Sequence, residues 1–200
     1  MKTGLVIVAH PDDETIWMGG TIILQKDIKW TILSLCRKDD KDRVPKFKKV
    51  CKFYKAKAII SDLEDEGIMN IKKSLPEIEK RILKEIKKKN FTYIFTHGYN
   101  GEYGHCRHKG VHLVVKKLVE NKKMVCDKLF FFAYKLSSKK KVVNQTKKLD
   151  LVFNLNKETL RKKKYIIKDL YGFSKNSFEN VSCLVKETFY ENTGSLRTSK

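Results

Sequence analysis

No apolar run in the 200-residue sequence approaches the roughly 18 residues of a membrane span. The N-terminal apolar run, residues 5–9, is too short for the core of a signal peptide. These absences make the cytosol the expected compartment, with the cytosolic face of a membrane left open. The five cysteines are odd in number and form no CxxC pair, which argues against a disulfide framework or an all-cysteine zinc site. Most are expected to be buried small hydrophobes. Internal repeats and low-complexity linkers are also missing. Arginine is scarce: Arg37, Arg43, Arg81, Arg107, Arg161 and Arg197 are the only six among 44 basic residues. Arginine is the usual residue for bidentate base and phosphate recognition. The basic runs 87–89, 139–141 and 161–164 carry no interleaved aromatics. Nothing here reads as a dedicated nucleic-acid motif.

What is present is the profile of one globular domain, with 41% hydrophobic and 34% charged residues. The net charge of +21 fits a lysine-coated surface and also an attraction to anionic partners, an acidic membrane surface among them. Apolar runs alternate with helical patterns. Strands are expected at residues 4–9, 29–36, 58–61, 91–96, 129–133 and 151–155. Helices are expected at 14–25, 43–55, around Val111, Val114, Val115, Leu118 and Val119, and at 161–171. Ser74 followed by Glu77 reads as a capping box with Pro76 in the first turn, opening a helix with Leu75, Ile78, Ile82 and Ile86 on one face. The polar segment 135–148 reads as an exposed loop, and the chain from about Gly194 as a flexible tail. The expected fold is therefore α/β and Rossmann-like, a mainly parallel sheet with helices on both faces, in a single domain over 1–193. Such sheets place ligands beyond the carboxyl ends of their strands.

The first strand stops at that end with His10, Pro11, Asp12, Asp13 and Glu14. Acids in a helix's first turn complement its dipole, and this explains one or two of them. It does not explain His10, or the proline that fixes the turn. Clustered carboxylates repel, so a cation nearby would stabilise the group. His10 and Asp13 offer nitrogen and oxygen ligands suited to zinc, which leaves Asp12 free to act on a water. A second constellation, GEYGHCRHKGVH from Gly101 to His112, follows the fourth strand and enters a helix. His108 lies one turn before Val111, on the inward stripe. Catalytic zinc takes three protein ligands and keeps one position open, and His10, Asp13 and His108 would supply the three. His112 is read as a histidine on the flank of an amphipathic helix.

Together the two motifs resemble the PIG-L/LmbE-like zinc-dependent N-deacetylases, which remove acetyl groups from N-acetylglucosaminyl compounds. AHPDDETIWMGGTI resembles their N-terminal signature, and GEYGHCRH their second, where Gly-His-Pro-Asp-His is common. Weaker similarity continues around Arg43 and at residues 186–189. The resemblance implies one zinc ion per chain held by His10, Asp13 and His108, with Asp12 as general base. It implies that His105 serves the developing oxyanion or protonates the leaving amine, and that Tyr103 assists the transition state. Arg43 would line the substrate pocket, and Glu14 would support the site through hydrogen bonds. The implied partner is an N-acetylated sugar or glycoconjugate, and the charge favours an anionic one.

Cys106 and Arg107 depart from the family pattern, standing where Pro and Asp are common. Arg107 reverses a sign and is expected to depress the pKa of His105. Glu102 is the carboxylate nearest in sequence to compensate. Lys46 is basic where an acid is usual. The departures motivate a second reading, a metal-retaining but weak or inactive relative that binds an anionic glycoconjugate or nucleic acid. A third is a metal hydrolase for another acyl group.

Overall fold

The computed structural model describes residues 1–145 and 149–193. Its centre is a seven-stranded sheet, in spatial order residues 57–63 (β3), 28–36 (β2), 2–8 (β1), 90–96 (β4), 125–132 (β5), 186–191 (β9) and 151–154 (β8). The strands are β1 (Lys2–Val8), β2 (Ile28–Cys36), β3 (Lys57–Leu63), β4 (Asn90–Thr96), β5 (Val125–Phe132), β8 (Leu151–Asn154) and β9 (Lys186–Glu191). β1 to β5 pair in parallel, while β9 lies antiparallel to both β5 and β8. The α/β, mainly parallel, single-domain architecture is as expected.

The expected parallel strands exist because their apolar runs are buried on both faces, as a covered sheet requires. Leu5 to Ala9 are all fully buried. On one face Trp17, Ile22, Phe47, Val50, Ile166 and Ile167 pack against Val6, Ile32 and Phe95. These side chains come from α1 (Asp13–Leu24), α2 (Arg43–Phe53) and the segment formed by α6 (Lys157–Tyr165) and the π-helical turn Ile166–Leu170. On the other face Ile78, Ile82, Val111, Val115 and Leu118, from α3 (Ile71–Glu85) and α5 (Cys106–Glu120), cover Leu5, Ile7 and Leu33. Two further short helices are α4 (Gly101–Gly104) and α7 (Phe178–Val181). No helix among the described residues is long and apolar enough to cross a membrane.

Three expectations need correction. The capping box at Ser74 is not the start of α3. Asn70 caps that helix by accepting from Lys73 N, and Ser74 is buried, donating to the Ile71 carbonyl. Pro76 therefore lies inside α3 rather than in its first turn. The expected loop 135–148 contains a two-stranded ribbon, β6 (Tyr134–Leu136) paired with β7 (Val142–Asn144); residues 146–148 lie outside the described residues. Tyr134 anchors the ribbon by donating from its hydroxyl to the Trp17 carbonyl at 2.6 Å. The last helix begins at Lys157, capped by Asn156, rather than at Arg161. The expected tail from Gly194 also lies outside the described residues. β9 had no periodicity to announce it.

Candidate metal centre and cleft

The sheet changes direction between β1 and β4, the place where α/β sheets open a crevice. His10 to Glu14 leave the end of β1, and His97 to His108 leave the end of β4. The fold thus brings the two sequence motifs together. They line a cleft of about 370 Å³, whose walls include His10, Asp12, Asp13, Trp17, Arg43, Tyr103 and His105. Arg37, Asp40, Phe178 and Glu179 also line it.

The proposed ligand atoms meet at one point. His10 Nδ1 lies 3.2 Å from Asp13 Oδ2, and His108 Nε2 lies 3.4 Å from the same oxygen. The two histidine nitrogens are 3.3 Å apart. Ligands held 2.0–2.1 Å from a tetrahedral zinc stand about 3.3–3.4 Å from one another. The outer contacts aim these atoms. His108 Nδ1 lies 2.6 Å from Glu102 Oε2, which places the ring proton there and turns the Nε2 lone pair inward. His10 Nε2 lies 3.0 Å from Asp65 Oδ2, which does the same for His10 Nδ1. Asp13 Oδ1 accepts from the Trp17 indole at 2.9 Å, and Oδ2 from the His10 amide at 2.8 Å. Each donor thus carries the kind of outer partner that metal ligands have.

Charge makes the same case. Burial works against protonating His10 and His108, but the carboxylates around them prevail and raise them to about 9 and about 10. Asp13 is held well below its usual range, burial being outweighed by His108 and His97. The cluster therefore calls for two positive charges a few ångströms apart. One divalent cation supplies both at a single point, and the residues fit such an ion.

Other nearby histidines are committed elsewhere. His97, which the sequence did not single out, is fully buried and stacks on His108 with ring centroids 3.8 Å apart. Its Nε2 accepts from the Ala9 amide at 2.9 Å and its Nδ1 faces Glu102 at 2.8 Å, so no lone pair remains for an ion. His112 packs on Phe131 and its Nδ1 meets the His97 carbonyl at 2.9 Å. His105 stands within metal-sharing distance of His10 and His108. Its Nδ1 accepts from the Arg107 amide at 3.3 Å, which leaves its proton on Nε2.

Asp12 lines the cleft beside the cluster. Its backbone φ is +121°, a strained value for a residue with a Cβ. The strain is held by Glu14, whose Oε2 accepts the Asp12 amide at 3.1 Å while Oε1 accepts from Thr15 and Tyr171. Burial lifts Glu14 to about 7. Burial and the neighbouring Asp13 push Asp12 well above the carboxylate range, against the pull of Arg43. Arg43 donates to Asp12 Oδ2 at 2.9 Å and covers the Phe173 ring at 4.6 Å. It lines the cleft, but its charge is already engaged.

Two electrostatic expectations change. His105 is lowered to about 4, chiefly by burial and then by His108 and His10, and the Arg107 guanidinium is not among the leading causes. The Arg107 guanidinium is fully buried and points to Glu64, whose carboxylate it meets at 2.6 Å and whose carbonyl at 2.7 Å. Glu102 does not compensate at His105, since both its oxygens are taken by His97, His108 and the Gly98 amide. Trp17, His97 and Asp65 were not read as site residues. Only the Trp17 spacing, one helical turn after Asp13, offered a signal.

The family model described as PIG-L, GlcNAc-PI de-N-acetylase, matches residues 5–119, more than half of the 200-residue chain. The chain belongs to this family. Its members include the deacetylase-type hydrolases, and the matched span holds every proposed ligand. A protein of Acanthamoeba polyphaga mimivirus is 26% identical over 123 residues, 54% of this chain and 53% of that protein. The chain therefore spans about half the length of that curated relative. Three solved structures match with a TM-score of 0.63. One is 4-carboxy-2-hydroxymuconate hydratase from Pseudomonas putida, at 13% identity over 100% of both chains. Another is the pseudoaglycone deacetylase of an antimicrobial reagent, at 14% identity over 88% of this chain and 87% of that one. The third is N,N'-diacetylchitobiose deacetylase from Pyrococcus horikoshii, at 13% identity over 95% of this chain and 83% of that one. At these identities the neighbours establish the fold.

Proposed function

We propose that this protein is a zinc-dependent hydrolase that removes the acetyl group from an N-acetylglucosaminyl compound. The observation that carries the reading is the trio of ligand atoms 3.2–3.4 Å apart with Asp12 beside it in the cleft. His10, Asp13 and His108 would hold the ion. When bound, zinc supplies Lewis acidity that acidifies water and polarises an acyl carbonyl. A hydratase shares the fold, so the fold alone does not choose the reaction. Family membership and a base in the cleft favour amide hydrolysis.

The chain's own residues have distinct tasks. Asp12 lines the cleft beside the trio, and its carboxylate takes the proton of the attacking water. The same carboxyl then delivers that proton to the departing nitrogen as the C–N bond breaks, giving acetate and a free amine. His105 is neutral near pH 7 and presents Nε2–H, so it serves the developing oxyanion as a donor rather than the amine as an acid. The Tyr103 phenol, kept protonated by burial, is a second donor on the same wall. One such donor contributes about 10²–10³-fold in rate. Arg43 orients Asp12, and Glu14 holds its strained backbone.

The inactive-relative reading was motivated by Arg107, and that guanidinium is turned away from the cleft toward Glu64. The test is amine release by zinc-loaded protein from a panel of N-acetylglucosaminyl compounds, neutral and anionic. Asp12→Asn should retain zinc and lose about 10²–10⁴-fold in rate. Full activity in that variant would remove Asp12 from its role. No release from any compound, with zinc bound, would point to another acyl group or to binding without catalysis.

A further inference from the structure

We propose that Asp65 is a positioning residue for the metal ligand His10, and that Arg107 and Arg37 hold Asp65 in place. The inference rests on the metal-centre reading above and assigns residues outside its ligand set.

His10 can turn a lone pair toward Asp13 and His108 only if its proton sits on Nε2. Asp65 Oδ2, 3.0 Å from Nε2, is the acceptor that selects this tautomer. Glu102 performs the matching task for His108 at 2.6 Å, so each histidine ligand has its own carboxylate. Glu102 is close to its histidine in sequence. Asp65 is not: it comes from the loop after β3, the edge strand two places from β1. Something must fix that loop, and two guanidiniums do. Arg37 donates to Asp65 Oδ2 at 3.0 Å and to Glu66 at 3.2 Å. Arg107 clamps Glu64 through its carbonyl and carboxylate and lies 3.9 Å from Asp65 Oδ1. Arg107 is fully buried. A cation buried this completely is tolerated only with well-placed partners, so the acidic loop and Arg107 specify one another. The reversed sign at position 107 is thereby explained. An arginine on α5 draws a carboxylate in from a distant loop instead of supplying one itself.

The experiment is a zinc titration of the metal-stripped full chain against a chromophoric chelator, with circular dichroism to check folding. The wild type should bind one equivalent. Asp65→Ala should weaken zinc by about 10–100-fold, the usual cost of losing an outer partner of a ligand. Asp65→Asn, whose amide oxygen still accepts from Nε2–H, should lose less. Arg107→Ala should resemble Asp65→Ala, and the double variant should be no worse than either, because the two act in series. If Arg107→Ala fails to fold, Arg107→Lys and Asp65→Asn carry the test. In zinc-loaded protein the His10 Nε2 proton should be protected from exchange with water by its bond to Asp65, and Asp65→Ala should speed that exchange and move the proton upfield; a merely structural role would do neither. Zinc affinity within about twofold of wild type in both Asp65 variants would overturn the inference while leaving the metal centre standing. Two equivalents of zinc, one lost with Asp65, would also overturn it, because Asp65 would then be a ligand beside His10 and Cys36, which share its neighbourhood. A wild type that binds no zinc would remove the metal centre and the inference together.

Discussion

At the scale of single residues, what separates a proposed ligand from a bystander is where the second ring nitrogen goes. Five histidines occur in the chain, and all lie at this end of the sheet. His10 and His108 each give one nitrogen to a carboxylate and keep the other for the cluster. His97 also gives one nitrogen to a carboxylate but turns the other to the Ala9 amide, and His112 turns Nδ1 to the His97 carbonyl. His108→Ala should therefore cost most of the zinc occupancy, measured by metal analysis after dialysis, and His112→Ala should cost little. The reverse order would mean that the ring assignments are wrong. This distinction was only half legible in the sequence. The candidate residues of two short stretches, 10–14 and 103–108, were readable as groups because a strand end and a helix start fix their spacing, and the fold brings the two together. Asp65 and His97 were not, because they reach the cluster from a loop and a strand end that only the folded sheet brings near. The neutral state of His105 was also hidden. It is set chiefly by burial and then by His108 and His10, which the sequence places in separate motifs.

Secondary-structure elements follow the same division between local and distant causes. The five parallel strands were legible because a strand covered on both faces is written as an unbroken apolar run. β6 and β7 were not, because each is only three residues long, nor was β9, because it mixes polar with apolar residues. β9 nevertheless carries an important device. Its Glu187 is fully buried and accepts from the amides of Gly20 and Thr21 and from the Thr21 hydroxyl. These donors lie just after Met18, whose non-helical φ of −149° breaks α1 in two. Glu187 therefore caps the second half of a broken helix, and the fully buried Lys163 neutralises it at 2.6 Å. The break lies directly after Trp17, the residue that holds Asp13. Glu187→Ala would leave Lys163 buried without a counter-charge. It should cost about 3–5 kcal/mol in denaturant unfolding. A loss below about 1 kcal/mol would mean that water reaches the ammonium group and the cap is dispensable.

The whole molecule couples its site to its stability, because the proposed ligands come from the end of β1, the start of α1 and the start of α5, and are braced by loops after β3 and β4. In protein stripped of metal, His10 and His108 titrate at about 9 and about 10 because their carboxylate neighbours outweigh burial, against an ordinary value of 6.5. The folded state then holds more protons than the unfolded one between those limits. The resulting stabilisation is complete below pH 6.5 and is lost as pH rises toward about 9–10. Bound zinc replaces those protons, so the loaded protein should show no such decline. The gain in melting temperature on adding zinc should therefore widen steadily from pH 6 to pH 9. At a free zinc concentration 100 times the dissociation constant the gain is about 2.7 kcal/mol, or roughly 5–11 °C for a chain of this size. Melting curves with and without zinc across this pH range test the ligand assignment without any substrate. A zinc-induced shift of the same size at every pH would mean that the ion displaces no protons, and that His10 and His108 are not the residues that hold it.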